Sequence, residues 1–571
     1  MSERKSSSAI RAGNPRRQWQ PSRPRSSLAL LTITLLVAGC ASPSLTASPA
    51  VAPTTLRMPT PTLAPTPTAP STPVAVISTP TPLPAEPPTL VPTGLVTPEP
   101  TEEPTPEPTE TPSPTPTPVP TPTPRPTSGP GLAISTVARA KADPAAAKTA
   151  AASINAFGLD LFRQLLTEPN LAQKNAVFSP TSIALALGMA RAGAKGDTAV
   201  QMDAVLHTTG WDALGSGLNS LSQALASRDA TWQDFAGTEH SLALRIANAA
   251  YGQQGWTIEQ PYLDAIASAF GVGLRLVDFI FHTADAIKAI NAWVSDQTAK
   301  RIPQLLGPTD LDWRTQLVLV NAIYLKANWE QEFSVDETKP APFTRLDGSR
   351  VTVPTMSTWG GGGVTYRPIP YAHGSGWQAV ELRYTGGAGY DNAPLAMTLV
   401  LPDDLAAFEK ALSVSQLERI TTALASQRKA FTQGVPCPGL GGCYPYDLHL
   451  YLPRFSIETR ADLPPVLAAL GMPLAFDMDR ADFTGIHVPE NETDRLYVKK
   501  VIHQANIDVD EKGTEAAAAT AVVMATGGGP SPLKEITLRL DHPFLFFVRD
   551  LETGAVLFMG QVTDPSVGKG S

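Results

Sequence analysis

The sequence predicts an α+β domain behind a long non-globular lead. Three observations carry that prediction. Apolar residues recur at helical spacing in Phe157, Leu161 and Leu165, with Leu159, Phe162 and Leu166 widening the face. Apolar runs of strand length lie further on, almost wholly apolar over residues 317–325 and alternating over 501–509. Helix and strand patterns mix without the regular alternation that builds a parallel sheet.

The lead comes first in the chain. Of 57 prolines in 571 residues, about half lie between residues 41 and 130, which leaves roughly 440 residues for folded structure, enough for one large core. Residues 1–25 are rich in Lys and Arg, and residues 28–38 form an apolar run of signal-peptide length, too short to span a bilayer as a helix. The run ends in Val37-Ala38-Gly39-Cys40. This tetrapeptide resembles a bacterial lipobox, in which the cysteine is lipidated and becomes the mature N-terminus. An ordinary secretory signal followed by an unrelated cysteine is the alternative. The expected organisation is a lipoprotein signal peptide over 1–39, a Pro/Thr stalk over 40–144 and a folded domain over 145–571. Proline fixes its own backbone and removes a donor, so the stalk is expected to be disordered and extended as polyproline II. About 90 such residues at roughly 3.1 Å each reach some 280 Å. The expected location is the cell surface or envelope, with Cys40 as the membrane anchor.

In the domain, Ser179-Pro180-Thr181-Ser182 opens a second apolar helix that ends at Gly193-Ala194-Lys195-Gly196. The run over 317–325 reads as a strand buried on both faces. From Val501, His503, Ala505, Ile507 and Val509 fall on one strand face, and Gln504, Asn506, Asp508 and Asp510 fall on the other. That strand runs into Glu511-Lys512-Gly513-Thr514-Glu515 and then Ala516-Ala517-Ala518-Ala519-Thr520-Ala521. By composition the alanines favour helix. As a strand, however, Thr514, Ala516, Ala518, Thr520 and Val522 share one face, and all are small enough to slide between two existing strands. Residues 527–532 form an exposed tip. Ile536, Leu538 and Leu540 alternate again, residues 542–548 are a core strand, and Glu552-Thr553-Gly554 turns into a last strand.

Several ordered motifs over residues 145–565 together resemble the serpins, a family of protein inhibitors of proteases. Asn175-Ala176-Val177-Phe178-Ser179-Pro180-Thr181-Ser182-Ile183 resembles the start of that family's helix B. Val320-Asn321-Ala322-Ile323-Tyr324-Leu325-Lys326 resembles strand 3 of its sheet A, except that Ala327 replaces the usual glycine. Ala481-Asp482-Phe483-Thr484-Gly485-Ile486, Asp541-His542-Pro543-Phe544 and Phe558-Met559-Gly560 resemble further family segments.

The resemblance implies the serpin fold: three β-sheets, eight to nine helices and an exposed reactive-centre loop. It also implies a mechanism. A protease cleaves the loop and becomes covalently attached; the freed hinge then inserts into sheet A and the protease is dragged to the far end. The implied hinge is Glu511, Lys512, Gly513, Thr514, Glu515, Ala516, Ala517, Ala518, Ala519 and Thr520. The candidate scissile region is Met524, Ala525, Thr526, Gly527, Gly528, Gly529, Pro530, Ser531 and Pro532. Counting from the hinge places the scissile bond after Gly527, and counting back from Asp541-His542-Pro543 moves it toward Pro532. No arginine lies in that window, which disfavours trypsin-like targets and favours an elastase-like serine or papain-like cysteine protease. Ser179, Ser182, Asn321 and His503 match the family's shutter under the sheet. Trp329, Arg454 and Glu511 match its breach at the top, where the ion pair is expected to be partly exposed.

The implied partners are a target protease, held covalently by a monomeric inhibitor, and the membrane through Cys40. A non-inhibitory serpin serving as a binding or carrier module is the second reading, and the small hinge residues speak for the inhibitor. No enzymatic activity and no cofactor are expected, because no nucleophile elbow, zinc-protease motif or clustered metal ligands are legible. The formal charge of −8 and a pI near 5.6, without a dense Lys/Arg stripe, exclude nucleic acid as the expected partner. Cys437 and Cys443 form either a disulfide or a pair of free thiols.

Overall fold

The computed structural model describes residues 131–169, 171–233, 239–358, 369–387, 393–432, 436–437, 440–441, 446–491, 494–514 and 534–568. Cys40, Cys443 and the loop residues 515–532 lie outside the described residues, so the cysteine pairing and the scissile region do too.

Among the described residues there are nine α-helices: α1 (Pro144–Leu165), α2 (Pro180–Arg191), α3 (Gly196–Val205), α4 (Trp211–Ala226), α5 (Gln260–Phe270), α6 (Thr283–Gln297), α7 (Leu405–Ala411), α8 (Val414–Thr432) and α9 (Pro464–Leu470). The run of alanines after Pro144 carries α1 well ahead of Phe157, since alanine is the strongest helix former. Asp143 caps it by accepting from the Ala145 N–H at 2.9 Å. The face Ile154, Phe157, Leu161 and Leu165 is buried, as the spacing predicts. Ser179 caps α2 in the same way, accepting from the Ser182 N–H at 3.1 Å, and every residue of α2 is buried.

Three large sheets frame the core. Sheet A has eight strands. Its path is β1 (Gly131–Ala133), β5 (Leu274–Val277), β4 (Glu239–Gln253), β6 (Leu317–Asn328), β17 (Gly513–Thr514), β16 (Val498–Val509) and β15 (Phe455–Asp462), with β3 (Ala230–Gln233) paired to β4. Sheet B has six: β2 (Ala176–Phe178), β20 (Val556–Val562), β19 (Phe544–Asp550), β11 (Leu395–Pro402), β10 (Trp377–Tyr384) and β9 (Tyr371–Gly374). Sheet C has four: β18 (Lys534–Arg539), β14 (Tyr446–Pro453), β8 (Arg350–Ser357) and β7 (Lys339–Thr344), and β12 (Pro436–Cys437) pairs with β13 (Leu440–Gly441) in a short ribbon of its own. Strands β6, β19 and β20 are the buried runs that their apolar sequences predict. One face of β6 joins the main core with sheet B, and the other packs Val318, Val320 and Ala322 under Ile290 and Val294 of α6.

Strand β1, at Gly131–Ala133, lies ahead of residue 145, within the span read from sequence as stalk. No proline lies between residues 131 and 143, so the backbone donors return and β1 pairs antiparallel with β5. Ser135 Oγ then donates to Asp264 at 2.5 Å, and the Ala140 N–H to the Ser268 carbonyl at 2.9 Å, both on α5. Arg139 reaches α4 through Asn219 Oδ1 at 3.1 Å and Ser222 Oγ at 2.7 Å.

Candidate functional site

Sheet A carries two polar clusters along the same pair of strands, β6 and β16. In the middle, β6 and β16 pair directly and in parallel, with His503 opposite Asn321. Strand β4 pairs with the other side of β6 and sets Asn248 opposite Asn321. The three side chains form a row across three strands. His503 is wholly buried. The Ser179 N–H donates to its Nε2 at 3.0 Å. That nitrogen is therefore unprotonated, and Nδ1 carries the proton that it donates to Asn321 Oδ1 at 2.5 Å. Asn321 Nδ2 donates to Asn248 Oδ1 at 2.8 Å, and Ser182 Oγ reaches the same oxygen at 3.5 Å. Burial pushes the His503 imidazole down to about 3, so it is neutral at physiological pH. The structure thus brings Ser179, Ser182, Asn321 and His503 together. It adds Asn248, whose only sequence signal is a polar residue inside the Ala247-Asn248-Ala249 strand.

At the top of the sheet β6 and β16 are held apart, and β17 lies between them. Gly513 pairs with Asn328 and Thr514 with Ala327, antiparallel, while Thr514 also pairs with Val509 of β16. Gly513 has room for no side chain: a Cβ there would meet the Ala327 carbonyl oxygen at 2.1 Å. Thr514 is 2% exposed, and its hydroxyl lies 2.6 Å from the hydroxyl of Tyr384, at the end of β10 in sheet B. Tyr384 stacks on Trp329 with centroids 4.5 Å apart, and Trp329 Nε1 donates to the Asp510 carbonyl at 2.9 Å. Asp510 closes the turn into the hinge, its carboxylate accepting from the Lys512 N–H at 2.9 Å and the Gly513 N–H at 3.2 Å.

Glu511 is buried beside this turn, while its partner Arg454 keeps 41% of its side chain exposed, so the pair is partly exposed. Arg454 Nε donates to its Oε1 at 2.7 Å and Nη2 lies 2.5 Å from the same oxygen, while the Thr338 hydroxyl also donates to it. The Phe333 N–H holds the Glu511 carbonyl at 2.8 Å. Burial raises the carboxyl's affinity for a proton, but the bonds from Arg454 and Thr338 outweigh it and hold the group below the usual carboxylate range. The segment 329–338 that encloses Glu511 is distant in sequence, which hid its burial.

Between the two clusters lies a gap. It is lined by Ile323, Tyr324 and Leu325 of β6, by Asn506 and Asp508 of β16, by Thr514 above, and by Thr298, Arg301 and Ile302 after α6. Asn506 Oδ1 is buried without a hydrogen-bond partner among the described residues. The gap is a break in the ladder between the direct β6–β16 pairs and the β17 pairs above.

A family model described as "Serpin (serine protease inhibitor)" matches residues 152–565. The chain belongs to the serpin family. Iripin-8 of Ixodes ricinus is 35% identical, over 72% of this chain and 92% of its own. The leukocyte elastase inhibitor of Xenopus tropicalis is 32% identical, over 72% of this chain and 97% of its own. The native-state structure of the thermophilic serpin tengpin superposes with a TM-score of 0.59 at 23% identity, covering 76% of this chain and 97% of that one. The fold expected of a serpin, with its three sheets, is the fold observed, and family membership makes protease inhibition the activity to which this serpin is tied. Strand β1 and the segment up to α1 precede the matched residues.

Proposed function

We propose that this serpin is a single-use, irreversible protease inhibitor acting by loop cleavage and strand insertion. The observation that supports it is the hinge itself: Gly513 and Thr514 already lie between β6 and β16, antiparallel to both. Counting on from Thr514 opposite Ala327 and Val509, Ala516 falls opposite Leu325, Ala518 opposite Ile323, and Thr520 between Asn321 and His503. Each residue that turns toward the core in this register is small. The Thr520 hydroxyl arrives where the His503–Asn321 bond must part and offers each a new partner, so the polar row acts as a shutter that re-forms around the inserted strand. Trp329, Arg454 and Glu511 act as the breach, holding the turn from which the hinge is fed.

In the proposed reaction the protease's nucleophilic oxygen or sulfur attacks a loop carbonyl. An acyl-enzyme ester or thioester forms, the C-terminal fragment leaves with a new amine, and the freed hinge zips downward before water can hydrolyse the acyl bond. Each inserted residue adds ladder hydrogen bonds worth about 1 kcal/mol net apiece. Several relatives are leukocyte elastase inhibitors, and the arginine-free loop suits an elastase-like serine or papain-like cysteine protease. Lipidation at Cys40 would present this inhibitor on a membrane surface; Cys40→Ala should then move it from the membrane to the soluble fraction, and unchanged fractionation removes the anchor.

A protease panel read by denaturing gel and mass spectrometry tests the mechanism. A covalent complex with one cleaved loop bond is expected. Cleaved chain without complex, across both protease classes, would leave a non-inhibitory binding module.

A further inference from the structure

We infer that Tyr384 is a positioning residue that fixes the register in which the hinge enters sheet A; this rests on the insertion reading above. Strand pairing has period two, so a slip of one residue turns every side chain to the opposite face. With Thr514 opposite Ala327, the core face receives Ala516, Ala518 and Thr520. A slip of one would turn Glu515 inward and bury an unpaired carboxylate among Ile323, Leu325 and Ile507, an outcome that stalls insertion. The backbone pairing of a two-residue strand is a weak guard against that slip.

The structure supplies a stronger one from another sheet. Tyr384 belongs to β10 of sheet B, outside the β6–β16 pair. Its ring is clamped by stacking on Trp329, and residues 329 and 384 also form a backbone bridge. Its hydroxyl is wholly buried, and its hydrogen-bond partner is the Thr514 hydroxyl at 2.6 Å. A slipped hinge would place Gly513 or Glu515 at that point and leave the phenol unpaired, or force it against a carboxylate. One buried hydroxyl pair thus prefers one register over its neighbours, and it does so before any protease arrives. Because the first pairs of the ladder are already made, cleavage starts the zipper from a formed nucleus rather than from an open loop.

Tyr384→Phe and Thr514→Val test this. Both keep volume and the Trp329 stack and remove one hydroxyl. With a protease that wild type traps, each is expected to lower the ratio of covalent complex to cleaved product about five-fold, the worth of one net hydrogen bond. The double variant is expected to be no worse than either single one, since both delete the same contact. A wild-type ratio in either variant, or losses that multiply in the double, overturns the pin. Hydrogen exchange of the intact protein decides the same point without any protease: faster exchange at the Thr514 amide in Tyr384→Phe supports it, and wild-type exchange overturns it. If wild type traps no protease at all, the inhibitor reading falls alone and the exchange result still judges Tyr384.

Discussion

The middle and the top of sheet A are built from the same two strands and are in opposite states. At His503 and Asn321, β6 and β16 are sealed by direct pairing and by a directional chain of three hydrogen bonds, from the Ser179 N–H through His503 and Asn321 to Asn248 Oδ1, which Ser182 Oγ also reaches. At Ala327 and Val509 the same strands are wedged apart by Gly513 and Thr514. Under the proposed mechanism the entrance is already open, and the resistance to insertion is concentrated lower down, in the polar row. That mechanism needs this division: a hinge that must find its slot would lose time to hydrolysis, and a seam without a lock would open unprompted.

The largest test of that division is cleavage of the loop by a protease that is not trapped. If the wedge extends down the seam, about ten to fifteen new hydrogen bonds form, and the melting temperature should rise by on the order of 15 °C or more. Equal melting of intact and cleaved forms, by calorimetry, would mean that the seam stays shut.

Thr514→Arg should act next most strongly. Because Thr514 is buried at the wedge before cleavage, arginine there expels the hinge from the resting protein as well as blocking its later entry. The expected drop in the complex-to-cleaved ratio is about ten-fold or more. Glu515→Arg should change the ratio less than about two-fold, since the register sends residue 515 to the outer face. Equal effects from the two would remove the distinction between faces.

The smallest expected effect is that of pH on the seam. His503 is pushed down to about 3 from its ordinary 6.5, so between those values the unfolded chain binds more protons than the folded one. Its contribution is complete above pH 6.5 and shrinks as the pH falls below that. Glu511, held below its ordinary value, begins to lose its contribution only under about pH 4.5. Glu409, pushed up to about 7 by burial, works in the opposite direction over the same window as His503. The difference in melting temperature between wild type and His503→Gln, from pH 7.5 to 5, isolates the histidine. The gap between them should narrow as the solution is acidified, and a constant gap would show that His503 is not titrating against folding.

Much of this was legible in the sequence. Alternation from Val501 placed His503, Ala505, Ile507 and Val509 on the buried face, where they lie. The motif around Ser179 and the strand around Asn321 identified their partners. What could not be read was adjacency between sheets. Tyr384 ends a strand of sheet B with nothing local to mark it, and Thr338 precedes a strand of sheet C; each meets the hinge only because three sheets converge at Trp329. The preassembled wedge was missed for a related reason: Gly513 and Thr514 gain their partners from Ala327 and Asn328, some 185 residues earlier. The pairing of β1 ahead of residue 145 was hidden by the proline tract beside it, although the run from residue 131 to 143 is free of proline.

Strand β1 has a mechanical consequence. Gly131 is level with Leu276, Gly252 and Leu317, at the end of sheet A opposite Asn328 and the hinge. From that end β1 runs along the sheet toward the hinge end. A pull transmitted through residue 131 acts along the strand axis, so the β1–β5 hydrogen bonds are sheared together rather than peeled one at a time. The line of force descends the sheet's outer margin, with β5, β4 and β6 standing between it and the β6–β16 seam. The end of the sheet that holds Gly513 and Thr514 then lies away from the pull by the length of β6, twelve residues or about 40 Å.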